Sequence, residues 1–329
     1  MRSLSLMTAA VGLGALLASA CSGQNSSFVS TEAPAQGGHP PHASATATPI
    51  PYHFQTVDDP SSSTNAVTGI NQLRKIVGVY GAGSASNIPE SYTAVPPYTQ
   101  FRAISYPGQG TYATSLTSNK IIAGYVIQPT SLSGTWSFVR IKGLYTLLED
   151  SNEGAGSNAV TEILGINDSE LAVGFYTNNS GTKIPFELDV PTQSYTDLSP
   201  PGAMDAEATG INGKGNISGW ETTSKGTVAF YLQAGTYYPT SHPGTKDTYA
   251  LSLNWQDQLC GYYLDASRKA HGFVLTGPTR GGRQQFWQTI DEPNEASGTW
   301  VTSINNYDDI TGYYVDANGV QHGFVATPQ

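Results

Sequence analysis

Glu162 and Glu207 occupy the same place in two successive copies of a repeated pattern. Paired carboxylates of this kind can do acid/base work on a glycosidic bond, provided their separation suits the reaction. The same place in the other copies holds Tyr112, Tyr249, Trp300 and Ala66. Flat aromatic rings suit the apolar faces of sugars, and carboxylates accept hydrogen bonds from their hydroxyls. A second group of reactive types lies in INNYDDITGYYVDANGVQHGF, residues 304–324, with Asp308, Asp309, Asp316, Asn318 and His322 close together. Asp316-Ala317-Asn318-Gly319 has the look of a calcium-loop start. A third candidate is Cys260, a thiol that would need a neighbouring base and an electropositive setting to be a nucleophile.

These residues are placed by a repeat. AVTGINQLRKIVGVY, ATSLTSNKIIAGYV, EILGINDSELAVGFY, EATGINGKGNISGWE, YALSLNWQDQLCGYY and WVTSINNYDDITGYY share one frame. Each has a polar residue, Asn71, Thr117, Asn167, Asn212, Asn254 or Asn305, followed seven residues later by Gly78, Gly124, Gly174, Gly219, Gly261 or Gly312. An aromatic follows 11 to 14 residues after the glycine: Tyr92, Phe138, Phe186, Phe230, Phe273 or Phe324. A further short segment rich in Thr and aromatics closes five copies, and the sixth ends at Gln329 without it. HFQTVDDP, residues 53–60, lies before the first copy and matches FWQTIDEP of the fifth. The segments are short, β-branched and aromatic, and bounded by Gly, Pro or Asn, which reads as strands. A period of 42 to 51 residues with four strands fits a propeller blade. The expected fold is therefore all-β, a six-bladed β-propeller over 53–329 with four antiparallel strands per blade. Strand 53–60 from the N-terminal end would complete the last blade.

Within that frame most of the reactive types become architecture. The Asn series suits a tight turn, because its side chain bonds nearby backbone and tolerates left-handed geometry. The glycine series would let a neighbouring strand or ring approach closely. The frame mates of Cys260 are Val77, Ala123, Val173, Ser218 and Thr311, all small, so Cys260 reads as a buried structural thiol. Asp308-Asp309 fill a turn that elsewhere holds Arg74-Lys75 or Lys214-Gly215, and Asn318-Gly319 is a hairpin signal. No metal or cofactor is assigned. What breaks the frame is the position five before the Asn series. If the first strands line an axis, Tyr112, Glu162, Glu207, Tyr249 and Trp300 would ring one mouth and offer a ligand site. The connections entering that mouth carry 12 of the 25 acidic residues, with Lys246 the lone base. An acidic rim of this kind attracts cations or cationic partners.

The repeat resembles the bacterial extracellular HAF-repeat family, through the Gly-Ile-Asn elements, the seven-spaced glycine and His-Gly-Phe at 271–273 and 322–324. The resemblance covers 53–329 and implies an exported repeat protein with no established reaction. Thr117 in place of Asn, and four copies without the His, depart from the pattern.

Ahead of the repeats, Arg2 and the apolar run Leu4 to Leu17 form a signal peptide, residues 1–20, too short for a stable membrane anchor. Ala18-Ser19-Ala20-Cys21 resembles a lipoprotein cleavage site that leaves Cys21 as a lipidated N-terminus, and is also an ordinary small-x-small secretory site. Residues 21–52 read as this anchor and a Ser/Pro/Gly-rich tether, a coil of roughly 30 Å root-mean-square span. His39 and His42 fall in it as solvated linker residues. The chain has 15 basic and 25 acidic residues, against the basic face that nucleic-acid binding requires. No G-x-S-x-G or H-E-x-x-H motif occurs, and no catalytic residue is assigned. The expected protein is a monomer of the cell envelope, attached to a membrane through its N-terminal lipid, that binds a glycan, peptide or protein without catalysis. The alternatives are an envelope hydrolase of glycan-type substrates using Glu162 and Glu207, and a purely structural surface protein.

Overall fold

The computed structural model describes residues 48–81, 89–127, 134–156, 159–279 and 285–329. The expected signal peptide, Cys21, and His39 and His42 of the expected tether lie outside them. Every regular element of substance is a strand. The first strands of the six repeat units are Asn65–Ile70, Gly110–Leu116, Val160–Ile166, Asp205–Ile211, Asp247–Leu253 and Gly298–Ile304. Each pairs antiparallel with a second strand that starts about five residues after the Asn-series position, as at Ile76–Tyr80 and Ile310–Val315. The second pairs with a third, and the third with a short fourth. Two sheets have four strands in this order, and two eight-stranded sheets each join two such runs through a single parallel pairing, Val160 with Thr135 and Ala270 with Gly298. In the last unit the fourth strand is Tyr52–Val57, paired antiparallel with Gln321–Pro328.

Three recurring features mark how the units fold alike. Every first strand carries a register shift, at residues 68, 114, 164, 209, 251 and 302. A bulge re-aims a side chain. Here it aims Thr68, Thr114, Thr209 and Thr302 at the next unit, where their hydroxyls donate to the carbonyls of Ala113, Ile163, Ala250 and Val67. Second, a Cβ at Gly78, Gly124, Gly174, Gly219, Gly261 or Gly312 would collide with the carbonyl oxygen of the first strand opposite it. Third, Tyr92, Phe138, Phe186, Phe230, Phe273 and Phe324 are all fully buried.

The cores lie between units. Val77 and Ile104 pack with Ala113, Ile122 and Phe138; Ala123 and Val139 pack with Ile163 and Phe186. Cys260 joins Val274, Val301, Ile304 and Phe324 between the fifth and sixth units, and burial pushes its thiol pKa up, away from the reactive thiolate. Val57 and Val325 of the last unit pack with Val67, Ile70, Ile76 and Tyr92 of the first.

Candidate functional site

The frame-breaking residues meet where the first strands begin, each opposite a second-strand residue: Ala66 with Val79, Tyr112 with Tyr125, Glu162 with Phe175, Glu207 with Trp220, Tyr249 with Tyr262, Trp300 with Tyr313. Three of these pairs stack within 10° of parallel, at ring separations of 5.0 Å for Tyr112–Tyr125, 4.6 Å for Tyr249–Tyr262 and 4.8 Å for Trp300–Tyr313. Ala66, Tyr112, Tyr125, Tyr313 and Trp300 form one apolar cluster, and Trp220, Tyr249, Tyr262 and Trp300 another. The expectation of free aromatic faces is thus corrected. Tyr112 and Tyr249 are buried, while Trp300 and Glu162 keep part of their surface. The cause is the second row of aromatics, whose cross-strand stacking excludes water.

One of the two carboxylates, Glu207, is paired with a residue that the repeat frame did not single out. Lys183, the first residue of a third strand, places its Nζ 2.5 Å from Glu207 Oε1, 4.6 Å from the Phe175 ring centroid and 5.7 Å from that of Trp220. The residues in the same register, three before the buried aromatic, are Pro89, Thr135, Thr227, Ala270 and Gln321, as irregular as the Glu162 series, and that irregularity was the available signal. The Glu207 side chain is fully buried and its Oε2 has no protein partner. Burial raises the Glu207 pKa, and Lys183 opposes the rise. Burial works against the Lys183 ammonium, but the charge and hydrogen bond of Glu207 outweigh it and raise that pKa. Glu162 is pushed up to about 7, first by burial and then by the charge of Glu207. The cluster therefore holds one carboxylate locked to an ammonium and one that titrates near neutrality.

The acidic connections are spent locally. Asp59, Asp150 and Glu292 are buried and accept from the backbone N–H two residues on, at Ser61, Asn152 and Asn294. Asp247 pairs with Arg268 and Glu295 with Lys269, each at 2.6 Å. The hydroxyls of Thr111, Thr161, Thr248 and Thr299 accept backbone N–H groups from the end of the preceding unit. This threonine series, six before the Asn position, was legible as a repeat and was missed. His322 Nδ1 lies 2.6 Å from Asp58, and His271 Nδ1 2.9 Å from Asp291. Asp309 is buried against Arg74 at 2.8 Å, while Asp316 closes its own hairpin onto Asn318 and Val320. Asp309 and Asp316 flank opposite ends of the strand Ile310–Val315, which separates them by about 20 Å.

The other ends of the first strands are built differently. The Oδ1 of Asn71, Asn167, Asn212 and Asn305 accepts backbone N–H groups two and four residues on, as the turn reading expected. The Nδ2 does something the sequence did not reveal: it reaches the next unit. Asn71 donates to Thr117 O, Asn167 to Asn212 O, Asn212 to Asn254 O, Asn254 to Asn305 O and Asn305 to Asn71 O, at 2.9 to 3.3 Å. Thr117, without an amide, accepts from Ile121 N and leaves one step of this collar unmade. Inside the collar is a cavity of about 300 Å³ reached by all six units. Ile70, Leu116, Ile166, Ile211, Leu253 and Ile304 ring it, with Ser115, Ser252 and Ser303 beside them. Asp168 is its one charged lining residue among those described, and accepts from Ser118 N at 2.7 Å. Trp255 lies at its edge.

No protein-family model matches the chain, and no curated protein matches it. Solved structures do. A protein of unknown function from Dyadobacter fermentans aligns with a TM-score of 0.53 at 10% identity, over 84% of this chain and 98% of that one. TolB from Acinetobacter baumannii aligns with a TM-score of 0.51 at 8% identity, over 81% of this chain and 64% of that one, so the chain spans under two thirds of that protein. The neighbours are β-propellers, and at these identities the likeness shows the fold alone: an all-β chain of propeller type.

Proposed function

We propose that the chain is a six-bladed propeller of the HAF-repeat kind, completed by the strand Tyr52–Val57, exported and held at the envelope by a lipidated Cys21, and that it acts as a non-catalytic binding module. The single observation that carries the binding reading is the collar cavity, to which every repeat unit contributes. A concave, preformed site assembled from several elements is where small ligands bind. The aromatic starts, with Tyr112, Glu162, Glu207, Tyr249 and Trp300, remain the second place to look for a partner, through the exposed parts of Glu162 and Trp300. A panel of saccharides and peptides titrated against the purified chain separates the two ends. Ligand binding is expected to be lost in Ser252→Phe, which fills the cavity, and kept in Glu162→Gln. The reverse pattern would move the site to the strand starts.

One feature favours the hydrolase reading: burial and the charge of Glu207 push the Glu162 carboxyl up to about 7, a value suited to a general acid. Against it stands Glu207, committed to Lys183 and closed off from substrate. Glycoside hydrolysis that disappears in Glu162→Gln would establish it.

A further inference from the structure

We infer that the collar cavity takes an uncharged saccharide, with one sugar ring entering between the strand ends and resting against Trp255. The inference rests on reading this cavity as the binding end, and adds the chemical class of the ligand.

Charge is the first argument. Two cations of the turns around the rim are already matched, Arg74 with Asp309 and Lys214 with Asp257, both at 2.8 Å, and no cation is among the described residues that line the cavity. Asp168 is exposed and holds a neighbouring backbone N–H. An anion entering the cavity would lose hydration with no cation in the described lining to meet it, and a cation would find there only the solvent-exposed Asp168. The second argument is layering. The aliphatic ring of Ile70, Leu116, Ile166, Ile211, Leu253 and Ile304 is topped by hydroxyl and amide groups. That order suits a molecule with an apolar C–H face and a polar edge. Third, donors are at hand. The Asn carboxamides are largely committed to the collar, but Ser115 and Ser303 only accept long 3.4 Å bonds from Ile166 N and Ile70 N. Their protons remain to be given to a ligand oxygen.

Trp255 supplies the platform. Its backbone N–H donates to Asn306 Oδ1 at 2.8 Å, and its ring lies so close to Gly213 that a Cβ there would stand 2.9 Å from it. The Lys214 ammonium lies 5.4 Å from the ring centroid. The indole is thus held in place from one side, yet 51% of the residue is exposed. A large exposed aromatic held in place at the edge of a polar cavity presents contact area at little entropic cost. The volume, about 300 Å³, sits at the low end of small-molecule sites, enough for a sugar ring or two.

The test is calorimetry and tryptophan fluorescence on the purified chain. The uncharged probes are cellobiose, maltotriose and N,N′-diacetylchitobiose. The charged probes are digalacturonate and sialyllactose, and the peptide probe is trialanine. At least one uncharged saccharide is expected to bind with a change in indole emission. Trp255→Ala should weaken it roughly tenfold, Trp255→Phe less, and Ser303→Ala measurably. Binding of only the charged sugars or the peptide, with the same dependence on Trp255, would overturn the assignment to an uncharged saccharide and leave the binding end in place. Binding by none of the probes, or binding indifferent to Trp255 and to Ser252→Phe, would overturn both.

Discussion

The same six strands end in two opposite ways. At their starts the residues differ from unit to unit, Ala66, Tyr112, Glu162, Glu207, Tyr249 and Trp300, and a second row of aromatics stands against them. Large side chains from two rows fill the centre and stack. At their other ends five of six residues are the same, and each Asn turns its amide sideways to the next unit instead of inward. That commitment makes a rim and leaves the centre open. Variation along a repeat therefore marks where the middle is filled as readily as where a ligand touches. Uniformity can frame a cavity.

The largest expected break between the two ends concerns Lys183. Lys183→Met leaves the buried Glu207 carboxylate without its partner, which should cost about 3–5 kcal/mol in urea unfolding. A change of that size would confirm that the starts are held by one ion pair; a loss below about 1 kcal/mol would show that water already compensates Glu207. Next comes pH. The native Glu162 carboxyl titrates at about 7 against an ordinary 4.5, so the native state keeps the extra proton between those values. Its contribution to stability is full below about 4.5, falls as the pH rises towards about 7, and then levels off. At about 1.4 kcal/mol per unit the loss is about 3–4 kcal/mol at most. Stability curves at pH 5 and pH 8 should differ more for the wild type than for Glu162→Gln, and equal differences would remove Glu162 from the account. The smallest effects belong to the collar. Asn212→Ala removes an acceptor of two backbone N–H groups and the donor to Asn254 O, a loss of about 1–3 kcal/mol. Thr117→Asn should add the missing step towards Asn167 O and stabilise by about 0.5–1.5 kcal/mol. Thermal unfolding of the two variants reads both signs.

Much of the fold was legible because each unit states its local needs again. The glycines were expected to admit a close neighbour, and their missing Cβ atoms make room for the first-strand carbonyls. Tyr52–Val57, foreseen as residues 53–60, does pair with the final strand. Cys260 was expected to be buried, and it is. The candidate site was legible only in part. Tyr112, Glu162, Glu207, Tyr249 and Trp300 do share one end of the first strands, but the aromatic ones are less open than expected, since Tyr125, Tyr262 and Tyr313 of the second strands stack against them. Lys183 escaped notice for a related reason: it lies 24 residues before Glu207 in the chain, in a different unit, and only folding brings the two charges together.

Strand order, turn chemistry and the spacing of glycine and aromatic residues follow from interactions within a few residues or between paired strands, so one unit's pattern specifies them and the other units repeat it. Which end of the strands is filled, which carboxylate meets an ammonium, and where an open cavity remains depend on side chains from different units meeting across the middle. Those distances are set by packing, because water is excluded only when all the contributors arrive together.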